Sequence, residues 1–187
     1  MEFSIPWQNW NIEDIHYGMS QINTRIEDGL FVPIYFADKH VKCQAFHLLS
    51  PELTIQEVET TNDGIYLIIK IPKNTDFNNK LKEFDIKNLQ HATYHQSHWW
   101  PQLTQGQGQG QYKSALKIQA SGDSEWRLQI PDSGIFSYYD TQKKSWYGST
   151  EVGLMKRKLK ILARTSGLWI NKTSFGMDWK LIGAFIV

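Results

Sequence analysis

The sequence predicts a mainly β fold in a single domain spanning residues 1–187, with one helical insertion around residues 76–98. Three observations predict it. Stretch after stretch alternates apolar and polar residues with a period of two, the pattern of a half-buried strand. Aromatic residues make up 13% of the 187 positions, with eight Trp, eight Tyr and nine Phe, and such side chains favour a pleated surface. Only one long segment places apolar residues at helical spacing. A chain of this length supports one substantial core and leaves little room for two.

Residues 1–28 carry mixed signals. Ile12, Ile15, Met19, Ile22 and Ile26 recur at helical spacing, and Asn11 is placed to cap them. Gly18 and several β-branched residues oppose a helix. Irregular strand and loop is therefore expected, with Trp7 and Trp10 packing the segment onto the body. Residues 30–37 (LFVPIYFA) and 40–49 (HVKCQAFHLL) flank a turn at Asp38 and Lys39 and read as a hairpin that Pro51 ends. A short strand follows at 53–59, then a turn at Thr61-Asn62-Asp63-Gly64. Residues 64–71 (GIYLIIKI) form the most apolar strand, expected near the centre of a sheet and closed by Pro72.

Phe77, Leu81 and Phe84 lie at helical spacing. Asp85 is placed to cap a second helical piece running to about Gln96, with Ile86, Leu89 and Ala92 inward, so a kink is expected there. Trp99-Trp100-Pro101 stops the helix. Residues 104–111, TQGQGQGQ, offer no core-forming side chain and read as a flexible loop within the domain. Strands return at 112–119 and 125–130 about a Ser121-Gly122-Asp123 turn, then at 135–140, and in the closing stretch 155–187. Trp169 and Trp179 flank the last turn and are expected in the core.

A net charge of +1 conceals a strong asymmetry. Residues 1–64 carry ten acids and three bases, whereas residues 141–187 carry two acids and nine bases. In residues 158–164, Leu159, Ile161 and Ala163 alternate with Lys158, Lys160 and Arg164. One strand face then presents positive charge about every 6–7 Å, a repeat comparable to the phosphates of a nucleic-acid strand. Lys156 and Arg157 precede it. Tyr138, Tyr139, Lys143, Lys144, Trp146 and Tyr147 mix rings with cations, and Lys113, Lys117 and Arg127 lie on the strands before them. Binding of single strands needs both parts, cations for the backbone and flat rings for the bases.

Other chemistries have little support. His91 and His95 are one helical turn apart, with His98 beyond, but no second cysteine or intervening glutamate completes a zinc motif, and no metal is expected. Cys43 is the only cysteine, so no intrachain disulfide forms, and it reads as a small buried hydrophobe. There is no nucleophile elbow and no phosphate-cradling loop, and neither an enzyme nor a cofactor is expected. No apolar run approaches a membrane span, and MEFSIPWQNW lacks the basic and apolar regions of a signal peptide.

Three stretches resemble the single-stranded-DNA-binding proteins of large nucleocytoplasmic DNA viruses, themselves distantly similar to phage helix-destabilising proteins. They are FVPIYFADKHVKCQAFHLLSPEL, KEFDIKNLQHATYHQSHWW and SGLWINKTSFGMDWKLIGAFIV. The resemblance implies an oligonucleotide/oligosaccharide-binding (OB) barrel with extra strands. It implies sequence-independent binding of single-stranded DNA, with RNA possible, in viral replication, recombination or repair. Lys117, Arg127, Lys158 and Lys160 would line the groove, replication proteins would be partners, and the setting would be intracellular, in host cytoplasm or nucleus. Family members often show Gln-Thr-Pro where this chain has Leu49-Ser50-Pro51, and phage proteins end in an acidic tail where this chain has the apolar run 183–187. Two rival readings use the same residues: a β-sandwich shell protein of a virion, or a carbohydrate-binding β module stacking sugars on Trp146 and Tyr147.

Overall fold

In the computed structural model, which describes residues 4–100, 111–130, 136–149 and 157–186, strand accounts for 54% of these residues and helix for 18%. In chain order the strands begin with β1 (Ile5–Pro6), β2 (Ile15–Tyr17), β3 (Gln21–Asn23), β4 (Gly29–Ala37), β5 (Lys42–Cys43), β6 (Phe46–Thr61) and β7 (Gly64–Ile71). Helices α1 (Asp76–Tyr94) and α2 (Gln96–Trp99) follow. Then come β8 (Gln111–Lys113), β9 (Leu116–Ile118), β10 (Ser124–Gln129), β11 (Phe136–Asp140) and β12 (Ser145–Ser149). The last are β13 (Lys158–Thr165), β14 (Gly167–Ile170), β15 (Ser174–Met177) and β16 (Lys180–Ile186). No helix among the described residues is long and apolar enough to cross a membrane. The Gly/Gln run lies outside the described residues except for Gln111, which opens β8.

Two sheets share the strands. The first runs β12-β11-β16-β13-β6-β7-β10-β9, with β1 parallel against β6. The second runs β2-β4-β14-β15-β8, and β3 and β5 also pair with β4. One further bridge bears on the site. Gln129 of β10 pairs in parallel with Lys180 of β16, and the Gln129 N–H donates to the Trp179 carbonyl at 2.8 Å. Each of β6, β7, β10, β16 and β13 thus pairs with the next, and β13 pairs with β6.

The turn after β4 forms as expected, because the Asp38 carboxylate accepts the His40 and Val41 N–H groups at 2.7 Å each. The hairpin itself is short, since β5 stays with β4 while β6 belongs to the first sheet. Pro51 does not end the strand, and β6 runs sixteen residues. Lys160 faces Glu52 and Leu162 faces Leu49, so Ser50 and Pro51 together oppose Ile161. The Ile161 N–H donates to Ser50 Oγ at 2.8 Å. Proline's missing N–H falls at this bulge, where the ladder is already interrupted. The expected strand at 112–119 divides for a similar reason. Ser114 accepts the Leu116 N–H at 2.8 Å and donates to Asp85, and the two halves, β8 and β9, join different sheets.

Helix α1 is continuous through Asp85, contrary to the expected kink. Thr75 caps it, accepting the Asn78 N–H at 3.3 Å. The buried stripe is Phe77, Asn78, Leu81, Phe84, Asn88 and Ala92. Two of its members are asparagines, which hid its continuity. Ile86 and Leu89 instead face solvent, at 53% and 36% exposure. Asn78 is fully buried and satisfied: its amide donates to the Pro72 and Lys73 carbonyls and accepts from Ser124. On the opposite wall of the core, Phe77 meets Trp126 at 5.7 Å and Phe84 meets Trp179 at 6.0 Å, both edge to face.

The N-terminal segment is irregular strand and loop, as its glycine and β-branched content require. Asn11 caps only a short 3-10 turn, accepting the Glu13 N–H, while Met19 and Ile22 are exposed at 89% and 83%. Trp10 is buried in the core and Trp7 packs against it. Two lysines of α1 strap the segment down. Lys80 donates to the carbonyls of Trp7, Gln8 and Trp10 at 3.1, 3.3 and 2.6 Å, and Lys87 to that of Ile12 at 2.7 Å.

Candidate nucleic-acid interface

An open groove of about 900 Å³ is lined by residues of both sheets and of the segment 22–26. On the second sheet, Trp169 stands opposite Phe31 on one side and Gly176 on the other, and Gly176 stands opposite Lys113. Both rings lie over glycine. A Cβ at Gly176 would fall 2.6 Å from the Trp169 ring, and one at Gly167 would fall 2.6 Å from the Phe31 ring and 2.3 Å from the Val32 carbonyl. The Trp169 indole also hydrogen-bonds the Asp178 side chain. The indole is therefore fixed by backbone on one side and by a carboxylate at its edge, and it still lines the groove. A ring held this way is ready to stack without paying much ordering entropy.

The facing wall comes from the first sheet. Tyr66 of β7 opposes Gln129, Gln129 opposes Lys180, and Lys180 opposes Arg164 of β13. Neither Arg164 nor Lys180 forms an ion pair among the described residues. Like charges directly opposite each other are unfavourable, and the nearby Asp178 carboxyl, which burial pushes up and Lys180 and Arg127 pull back down, offsets part of that repulsion. Arg127 lies beside them, its guanidinium 3.6 Å from the Tyr66 ring centroid and 3.1 Å from a Glu59 oxygen. Arg25 and Lys113 add exposed cations, while Asp63 and Asp178 add carboxyl groups.

The structure distributes the expected binding residues over three places. Lys113 and Arg127 line the groove, and Arg164 flanks it through Lys180. Alternation along β13 holds, with Leu159, Ile161 and Ala163 buried. Lys158 and Lys160 continue away from the groove on the outer face, and Lys160 borders a separate pocket with Trp7 and Glu52. Lys117 is tied to Glu125 at 3.7 Å near the sheet's other edge. The β11–β12 hairpin forms a separate cluster. Tyr139, Trp146 and Phe185 meet within 5.3–6.3 Å on one face, and Tyr138 stacks on Tyr147 at 5.4 Å. Lys143 and Lys144 sit in its turn, with Lys143 over Tyr147. Arg157 is exposed before β13, and Lys156 lies outside the described residues.

Sequence reasoning missed Tyr66, Phe31, Arg25 and Lys180, and it placed Trp169 in the core. Trp179 is indeed buried, at 2% exposure. Period two alone puts Tyr66, Ile68 and Lys70 on one face, but that face was not distinguishable as the outer one. For Trp169 the signal was Gly176, a residue without a side chain on a neighbouring strand.

His91 and His95 pack against rings, while His98 is exposed and shares a hydrogen bond with Ser20 at 3.2 Å. His91 stacks on Tyr17 at 4.0 Å, and His95 stacks on Trp99 at 5.8 Å. No group of three or more potential metal ligands exists among the described residues. Behind them lies a polar network. Tyr17 donates to Asn88 at 2.7 Å, Asn88 donates to Tyr112 at 3.1 Å, and Tyr112 donates to Asp85 at 2.6 Å. Burial pushes both tyrosine hydroxyls and the Asp85 carboxyl upward. Burial, then His95 and Lys87, lower His91 from 6.5 to about 4. Between those values the unfolded chain binds more protons than the folded one, so stability falls as pH drops from 6.5 towards 4. Asp85 acts in the opposite sense, since its raised value makes protonation favour the fold. His91→Phe keeps the stack and removes the titration. Urea unfolding at about pH 7.5 and about pH 4.5 should show a smaller acid loss in the variant than in the parent.

No protein-family model matches the chain, and no curated protein is significantly similar to it.

Proposed function

We propose that the protein binds single-stranded DNA in this groove, without sequence preference and without turnover. Cations replace counterions along the backbone while rings receive unpaired bases. One observation carries the reading: a fixed indole and a tyrosine–guanidinium pair share one open groove with the cations Arg25, Lys113 and Lys180. The strand order supports an OB-type barrel. Such barrels pair five strands in the cyclic order 1-2-3-5-4 and bind ligands across strands 2 and 3, between the loops that follow strands 1 and 4. With β6 as strand 1, the pairings β6-β7-β10-β16-β13 follow that order. The groove then lies over β7 and β10, between the turn at 61–64 and the segment 166–179. A role in viral replication, recombination or repair inside the host cell rests on the resemblance alone.

The test is a fluorescence-anisotropy titration with a labelled dT oligonucleotide and a duplex of equal length, between about 50 and 200 mM salt. The expected result is preference for the single strand and an affinity that falls linearly in log–log form with salt. Equal affinity for duplex, indifference to salt, or no binding overturns the reading. Salt-indifferent binding of an oligosaccharide would support the carbohydrate module, and concentration-dependent assembly into large particles the shell protein.

A further inference from the structure

We infer that Arg127 is a stacking plate for a nucleobase rather than a clamp for phosphate, and that Glu59 is the residue that positions it. The inference rests on the groove reading and specifies what one part of the groove recognises.

Arg127 and Tyr66 stand diagonally on adjacent antiparallel strands, Arg127 opposite Ile68 and Tyr66 opposite Gln129. A guanidinium carbon 3.6 Å from the ring centroid is at stacking distance, so one face of the guanidinium is covered by the ring. Its Nε edge is also taken. Glu59 lies next to Tyr66 on β6 and holds Nε at 3.1 Å. The N–H direction is too bent for a hydrogen bond, so charge does the holding. Glu59 also offsets the cation's pull on a phosphate. Not engaged are the second face of the plane and the Nη groups, in a side chain still 40% exposed and lining the groove. Phosphate is recognised by the N–H edges of a guanidinium, whereas a base is recognised by its face. Two carboxyl groups, Glu59 and Asp178, act on this guanidinium and oppose a phosphate at its edge, so the open face is the surface that suits a ligand and that ligand is a base.

The experiment compares a dT oligonucleotide with an abasic oligonucleotide of the same length. Arg127→Lys keeps the charge and loses the plane. It should weaken dT binding about as much as Arg127→Ala, roughly five- to a hundredfold. Neither change should alter the salt slope or the affinity for the abasic strand. Glu59→Ala should weaken dT binding as well, while leaving abasic binding equal or tighter because an acid is gone. Both side chains are about half exposed, so melting temperatures should hold. Tyr66→Leu, which removes the base of the plate, should repeat the pattern. If Arg127→Lys binds like the parent, or Arg127→Ala weakens both oligonucleotides equally and lowers the salt slope by about one, Arg127 is a phosphate clamp and the inference falls while groove binding stands. If the parent binds neither strand, the groove reading itself fails and this inference with it.

Discussion

Phe46→Ala lowers the free energy of unfolding by about 3–5 kcal/mol. Phe46 is fully buried at the start of β6. Its ring meets Trp10 at 5.2 Å, Phe84 and Trp179 at 5.8 Å each, and Phe36 at 6.1 Å. Those four partners come from the N-terminal segment, the helix, the end of the β14–β15 hairpin segment and the second sheet. Truncation leaves a cavity that four separately anchored elements would have to close together. Phe46→Leu refills most of the volume and costs about 1–1.5 kcal/mol. Urea denaturation checks this through the midpoint at constant slope. A loss below about 1 kcal/mol for the alanine variant would mean that the elements repack independently of this ring. The cluster also reaches the groove, because the Trp179 carbonyl accepts the Gln129 N–H that joins β10 to β16.

The double substitution Arg164→Ala and Lys180→Ala weakens binding of a dT oligonucleotide by about 10- to 100-fold at low salt. Two lost phosphate contacts lower the log–log salt slope by about 1.4. The same change should leave the melting temperature about equal, because losing the repulsion between two like charges across β13 and β16 offsets losing the attraction of Lys180 for Asp178. Loss of binding with retained stability is the signature of charges kept for a ligand. Lys117→Ala is the control. Its ammonium is already paired with Glu125 and lies off the groove, so its effect should be within about twofold. An unchanged salt slope in the double variant would show that the single strand does not pass this edge.

Local pattern in the sequence was a good guide to strands and a poor one to where they go. Alternation located β13 and the inward positions Leu159, Ile161 and Ala163. It could not show that β5 and β6 part company after two residues of pairing, because nothing local marks a strand's choice between two sheets. Proline chemistry misled at Pro51, where a bulge and the Ser50 hydroxyl absorb the missing donor. Polar residues on a buried stripe misled in α1, where Asn78 and Asn88 look solvent-facing until their partners on other strands are known. The candidate groove was legible in the kinds of residue and not in their grouping. Cations interleaved with rings were visible, but the sequence grouped them by proximity along the chain. The fold instead brings Tyr66, Arg127, Trp169 and Lys180 together across more than a hundred residues. It leaves the conspicuous Tyr138–Tyr147 group on β11 and β12, at the edge of the first sheet.

Photo-crosslinking locates the bound strand most directly. A dT oligonucleotide carrying bromodeoxyuridine at successive positions is irradiated on the full-length protein, and the adducts are mapped by peptide mass spectrometry. The account predicts adducts at Trp169, Tyr66 and Phe31. Adducts confined to Tyr139, Trp146 and Tyr147, with none on the groove rings, would contradict it.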